Sequence, residues 1–350
     1  LWIGLLRAGR KENELEATFV KKCCALFLTI LFALLGSAAF AAEFTFAITN
    51  DSAEDTVTQL MSLKLKELLQ TKSGGKIAAN VFPSGQMGKD SELTQSTQAG
   101  DIAFVLQTTA PQINFVPKVA VFDLPFIFPD SKTARTVLDG PFKDLIAKEY
   151  EKANLKLMGY GDQGFRVTTS NKPVRKLEDL KGLKIRTMEN KYHVANWRIQ
   201  GANPTPLPWG EVYISLQQGT IDGQENPYEV IVAGKLYEQQ KYLINTNHIF
   251  HSISIVMSKK IYDGLPADMK KLVDDACRET VVWGREQADK RHANRVEILT
   301  KNKVEIIDLG PELLGKMQEK AEPVYKMVRD AVGNELVDSI VAESKKARGK

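Results

Sequence analysis

Residues 44–82 read FTFAITNDSAEDTVTQLMSLKLKELLQTKSGGKIAANVF, and the period of their apolar residues changes twice. Phe44, Phe46 and Ile48 alternate with smaller residues, the two-residue period of a half-buried strand. Asn50-Asp51-Ser52 then offers helix N-cap chemistry, and Val57, Leu60, Met61, Leu65, Leu68 and Leu69 fall on one helical stripe. Gly74-Gly75 supplies the backbone freedom that ends a helix, and a second strand is expected over Lys76 to Phe82. A helix from about Lys89, a break at Gly100 and a strand at Asp101 to Leu106 complete β-α-β-α-β. That order predicts the α/β class, with a mostly parallel sheet covered by helices on both faces.

A second series begins near Phe165. Strands are expected at Phe165 to Thr169 and Leu183 to Arg186, with helices over His193 to Ile199 and Glu211 to Gln217. His251 to Met257 reads as a returning strand, and from Pro266 the chain is mostly helical and charged. The simplest architecture is two α/β lobes joined by crossovers, with a helical C-terminal section.

The 350 residues are 43% hydrophobic and 26% charged, enough for two lobes with cores of their own. The 47 basic and 43 acidic residues are interspersed, which is no nucleic-acid footprint. Lys21 and Lys22 precede the apolar run Cys23 to Leu35, and Ser37 to Ala42 supplies small residues at A-x-A spacing. This reads as a secretory signal peptide cleaved after Ala41; the run is short of the roughly 20 residues that span a bilayer. Arg7, Arg10, Lys11, Glu12, Glu14 and Glu16 form an unusual lead for such a signal, so translation is expected to start near Val20. N-terminal sequencing of the precursor checks this, and finding residues 1–19 would refute it. Removing residues 1–41 takes away five basic and three acidic residues, leaving a near-neutral chain. Of the three cysteines only Cys277 remains, so no intramolecular disulfide forms in what is expected to be a soluble, periplasmic protein.

Gly159-Tyr160-Gly161-Asp162-Gln163-Gly164 matches G-x-G-x-x-G, but a strand follows where a pyrophosphate needs a helix N-terminus. A flexible inter-lobe connection is the expected reading. Gly310 to Lys316 fits G-x4-G-K, yet Met317 has no hydroxyl for magnesium, and Pro311 suits a first helical position. His248 with His251, and Glu189 with His193, have metal-ligand spacing without a third ligand, so structural or surface histidines are expected. No nucleophile elbow, H-E-x-x-H or cysteine nucleophile context is present, so neither catalytic residues, metal nor cofactor is expected. Arg166 and Arg186 differ from all of these, because both sit in apolar strand patterns and arginine holds a carboxylate bidentately. Each is equally open to a ligand or to a structural acid such as Glu178 or Asp179. Pro204 to Glu211 combines rigid turns with Trp209, and Pro227 keeps Asn226 out of helix, leaving its amide free to face a cleft.

At these residues the chain resembles the periplasmic solute-binding proteins of TRAP transporters, the tripartite ATP-independent periplasmic type. The matching stretches are VFPSGQMGKDSELTQSTQAGDIAF, FDLPFIFPD, DLKGLKIRTMEN, GANPTPLPWGEVYISLQQGTIDGQENP and YEQQKYLINTNH, in family order over nearly the whole mature chain. The resemblance implies a two-lobed clamp, each lobe a mostly parallel sheet flanked by helices, with C-terminal helices spanning the lobes. The implied division is 42–164 plus about 252–290 for the first lobe, 165–251 plus about 291–310 for the second, and 311–350 for the C-terminal helices.

The same resemblance implies a monomeric, non-enzymatic protein that binds an organic acid and delivers it to large and small integral membrane subunits. Arg186 maps onto the family arginine that pairs with the ligand carboxylate, Arg166 onto its second arginine, and Asn226 onto its cleft asparagine. Trp209 and Glu211 fall near the far end of the pocket; Gln107, Asn50, Tyr192 and Glu189 are further expected contacts. A sugar acid suits this many amides, hydroxyls and carboxylates; a C4-dicarboxylate or another monocarboxylate stays open. A ligand-sensing protein for a membrane receptor, or an exported hydrolase, are the alternatives.

Overall fold

The computed structural model describes residues 42–348; the expected signal peptide lies outside them. Nine strands form one sheet: β1 Phe44–Thr49, β2 Ile77–Phe82, β3 Phe104–Thr108, β4 Leu155–Ser170, β5 Lys184–Thr187, β6 Asn203–Pro206, β7 Gly223–Asn226, β8 Tyr242–Ser258 and β9 Glu305–Asp308. Their order is β2-β1-β3-β8-β4-β7-β5-β6, with β9 beside β8. β1 runs parallel to β2 and β3, and β5 parallel to β6 and β7. The two parallel sets are the sheets of two lobes flanked by helices. Between them β4 and β8 pair antiparallel, one end of the pair against β3 and the other against β7.

These two strands are longer than the sequence suggested. β4 contains the glycines expected as a flexible connection; Gly159 and Gly161 are paired in the ladder, and Gly164 sits at a register shift. The ladder is nevertheless irregular there, with register shifts at Leu157/Gly159, Asp162/Phe165 and Arg166/Thr168. Bulges of this kind bend a strand while keeping its backbone paired. The lobes are thus joined by a bent ribbon of two hydrogen-bonded strands.

The helix after β1 is a second correction. It spans Val57–Lys72 and its N-cap is Thr56, whose hydroxyl accepts from Gln59 N at 3.2 Å. Asn50 instead closes a turn: its Oδ1 accepts from Ser52 N at 3.0 Å, and its Nδ2 donates to Gln59 Oε1 at 2.8 Å and Ser62 Oγ at 3.0 Å. An Asx turn competes with an N-cap for the same side chain, and here it places residues 51–55 in a loop. Asp51 therefore stands free of the helix.

Val57, Met61, Leu65, Leu68 and Leu69 bury one face of this helix against Phe46, Ile48, Phe104 and Leu106. The 35-residue helix Ala267–Lys301 adds Met269, Val273, Ala276, Cys277 and Val281 to that core, while its last turns add Leu299 to the core built around Val167 and Ile231. One helix thus contributes apolar residues to both lobes. Helix Pro311–Lys320 starts on Pro311, as its missing N–H favours, and buries Met317 with Ile185 and Trp197. The helices Glu322–Val332 and Asn334–Ala347 bury Val324, Val328, Val337 and Ile340 against Phe122, Phe142 and Tyr150. Among the described residues no helix is long and apolar enough to cross a membrane.

Candidate functional site

Arg186 sits at the end of β5, between the parallel strands β6 and β7. Such strand ends are where α/β sheets collect ligands. Its neighbour Ile185 points into the core with Leu183 and Trp197. Strand alternation puts Arg186 on the other face, where it is 3% exposed. Its Nε donates to Leu207 O at 2.9 Å, and Nη2 donates to the same carbonyl. Among the described residues no carboxylate forms an ion pair with it, and Nη1 has no acceptor. Burial pulls its pKa down to about 10, and the charge on Arg166 adds to that, while Glu225, Asp90 and Asp51 oppose it. The group still carries its charge at neutral pH. A buried cation with no carboxylate in direct contact is unfavourable in the free protein, and an anion would relieve it.

Arg186 lines a cavity with about 460 Å³ of space between its walls, part of it open to solvent. Asn226, at the end of β7, also lines it, held by a 2.6 Å bond from its Nδ2 to Gln224 Oε1. Trp209 forms another wall. Its ring lies against Gly234, where an added Cβ would come within 2.9 Å of the indole. The cavity continues to a wider mouth that shares Asp51, Ala53, Asp90 and Trp209 and is flanked by Glu189 and Glu211. At that mouth Lys89 Nζ, from just before the helix Asp90–Ala99, stands 3.3 Å from Glu211 Oε1, linking the two sides.

Two wall residues were missed by the sequence reading. Asp51 passed for part of a helix cap, and Asp90 fell inside the helix expected from about Lys89; neither pattern signals a cleft. Both line the cavity with Arg186. Their carboxyls face each other, and Asp90 Oδ1 is buried with no donor supplied to it from outside the pair among the described residues. Burial pushes the Asp90 carboxyl well above the usual range, and the Asp51 charge beside it pushes further. Burial raises Asp51 as well. Two carboxyls in such contact hold one proton between them over a wide pH range.

Other expected contacts lie elsewhere. Arg166 is fully buried and behind the wall. Its Nε and Nη2 donate to the Glu225 carboxylate, the latter at 2.9 Å, and its Nη1 is 2.6 Å from His251 Nδ1. The structural acid is Glu225, not Glu178 or Asp179. Glu225 also meets His248 Nε2 at 2.9 Å, and His193 Nε2 is 2.9 Å from Asp123 Oδ1. Burial alone would raise the Glu225 carboxyl, yet the charge on Arg166, the nearby His193 ring at 3.7 Å, and hydrogen bonds from His248 and Arg166 hold it well below the usual range. Burial, then Arg166, push His251 well below its ordinary value, so it is neutral and its Nδ1 can accept from the guanidinium. Asn50 spends its amide on the turn described above. Gln107 donates to Thr94 Oγ1 at 2.6 Å, and Tyr192 packs in the core with Phe122. None of Arg166, Asn50, Gln107 and Tyr192 lines the cavity or its mouth.

A family model for bacterial extracellular solute-binding proteins, family 7, matches residues 46–330. A solute-binding protein of Verminephrobacter eiseniae is 33% identical over 269 residues, which are 77% of this chain and 80% of that relative. The sugar acid binding protein DctPAm of Advenella mimigardefordensis, solved in complex with galactonate, superposes with a TM-score of 0.84 at 30% identity, over 87% of this chain and 98% of the other. A TRAP periplasmic solute-binding protein of Shewanella oneidensis with bound succinate gives 0.83 at 27% identity, over 87% and 100%. The chain belongs to the DctP family of bacterial extracellular solute-binding proteins, transport proteins rather than enzymes, whose members bind organic acids for TRAP membrane permeases.

Proposed function

We propose that this chain captures an organic acid in the periplasm by pairing the ligand carboxylate with Arg186, and presents it to the integral membrane subunits of a TRAP transporter. The observation that carries the reading is a buried guanidinium beside a cavity, with no internal carboxylate paired to it. Asn226 supplies an amide near the same carboxylate, and Trp209 an apolar wall. The bent two-strand ribbon lets the walls contributed by the two lobes close on the ligand. The relatives' galactonate and succinate share only a carboxylate and a short carbon chain, which is compatible with a carboxylate at Arg186 and leaves the other end of the ligand open. Sugar acid, C4-dicarboxylate and other monocarboxylate are the candidate classes.

A ligand present at 100 times its dissociation constant adds about 2.7 kcal/mol to stability. The mature protein is therefore expected to gain several degrees of melting temperature with at least one acid in a panel of sugar acids, dicarboxylates, keto acids and aromatic acids. If none shifts it, and mass spectrometry of the denatured protein finds no co-purified acid, the proposal fails.

A further inference from the structure

We infer that the facing carboxyls of Asp51 and Asp90 are a specificity device that admits a polyhydroxy monocarboxylate and rejects a dicarboxylate. The inference rests on the Arg186 reading and deepens it. Both carboxyls line the cavity that Arg186 lines, and both continue into its mouth. A ligand whose carboxylate lies on Arg186 therefore has its tail beside them. Asp90 Oδ1 is buried and, among the described residues, no group outside the pair donates to it. A hydroxyl on the tail supplies such a donor, and charge-assisted bonds of this kind are stronger than neutral ones. A second carboxylate supplies only acceptors, and brings a negative charge against a pair that already holds one. Like charges brought together in a partly desolvated site weaken binding strongly. Specificity built on an unpaired polar group and an excluded charge is sharper than specificity built on shape.

The surroundings do not cancel this charge. The charged and titratable groups that face the pair are Arg186 on β5, Glu189 just beyond it, His251 on β8, and Lys89 and Glu211 at the mouth. Arg186 is committed to the ligand carboxylate, Lys89 is paired with Glu211, and His251 is neutral. Glu189 adds negative charge. The pair's remaining proton is supported by burial. When it is lost at higher pH the site gains a second negative charge beside an anionic ligand. Affinity for a hydroxy acid accordingly falls as pH rises through the raised Asp90 range.

D-Erythronate and succinate test the device, since both have four carbons and differ in carrying hydroxyls or a second carboxylate. Calorimetry on the mature wild type, with D-gluconate as a longer probe, is expected to show a polyhydroxy acid preferred over succinate by at least about a hundredfold. Asp90→Asn and Asp51→Asn keep side-chain size but each leaves one carboxylate, so the double variant Asp51→Asn/Asp90→Asn is the one that removes the charge of the pair. The double variant is expected to shrink the preference at least about tenfold, and each single variant to flatten the loss of affinity as pH rises above the ordinary carboxylate range. Succinate binding the wild type as tightly as either hydroxy acid would overturn the inference and leave Arg186 untouched. So would a hydroxy-acid preference that the double variant retains unchanged. Binding that survives Arg186→Ala at wild-type strength would instead overturn the carboxylate assignment itself, and with it this inference.

Discussion

Replacing Arg186 by alanine is expected to weaken binding of the carboxylate ligand at least about thirtyfold, measured by calorimetry or by Trp209 fluorescence. Truncating one partner of a buried, hydrogen-bonded charge pair costs about 2–5 kcal/mol, and thirtyfold is about 2 kcal/mol. Lysine at this position should also bind poorly, because its point charge cannot reproduce the planar fork, and a shorter reach of donors would leave the Leu207 carbonyl or the ligand unserved. The unliganded Arg186→Ala protein should melt within a few degrees of the wild type. It loses the bond to Leu207 O, but it also loses a buried charge whose pKa burial has pulled down to about 10. At neutral pH both the folded and the unfolded chain hold that proton, so the folded state bears the whole cost of the buried charge and the variant is relieved of it. Binding lost without folding lost is the signature of a residue kept for its ligand. Wild-type affinity in the alanine variant would refute the assignment.

The two arginines show how far a sequence can carry this reading. Arg186 and Arg166 look alike in their strands, each an arginine among apolar neighbours, and local pattern leaves ligand and structural acid equally open for both. What separates them is Glu225, which is 59 residues from Arg166 in sequence and beside it only because β4 and β7 pair. The asparagine of the same short strand was legible because Pro227 fixes its backbone; the glutamate before it had no such mark. Asp51 was hidden for the opposite reason, since Asn50-Asp51-Ser52 has an obvious local use as a cap and a tertiary turn through Gln59 and Ser62 overrode it. The strands and helices from Phe44 to Ala99 were legible because each has one buried face and one wetter face, and β3 as a short apolar run buried on both sides. The first half of β8, Tyr242 to Phe250, was not, because Asn245, Thr246, Asn247 and His248 are polar residues that a buried network and a bulged ladder accommodate.

That network carries the second large effect. Arg166→Met is expected to destabilise the protein by about 3–5 kcal/mol near neutral pH, measured by urea unfolding, because it strands the Glu225 carboxylate in the core. The pH dependence fixes the cause. In the wild type Glu225 has its folded pKa depressed well below the ordinary 4.5, so it contributes stability that is present above that value and is lost as pH falls through the folded pKa. In the variant the burial contribution is no longer opposed by the guanidinium, and the sign changes: the folded state then binds a proton more readily than the unfolded one and gains stability as pH falls. His251, freed from the cation that helps to keep it neutral, becomes able to take up that proton on the same side of the site. The gap between wild type and variant should therefore be widest at about pH 8 and narrow steadily toward about pH 5. Removing both charges in Arg166→Met/Glu225→Gln should cost less than removing the arginine alone, since no carboxylate is left unpaired. A gap that stays constant with pH, or a double variant no better than the single, would mean that the arginine stabilises the fold by packing its long side chain and not by holding the charge of Glu225.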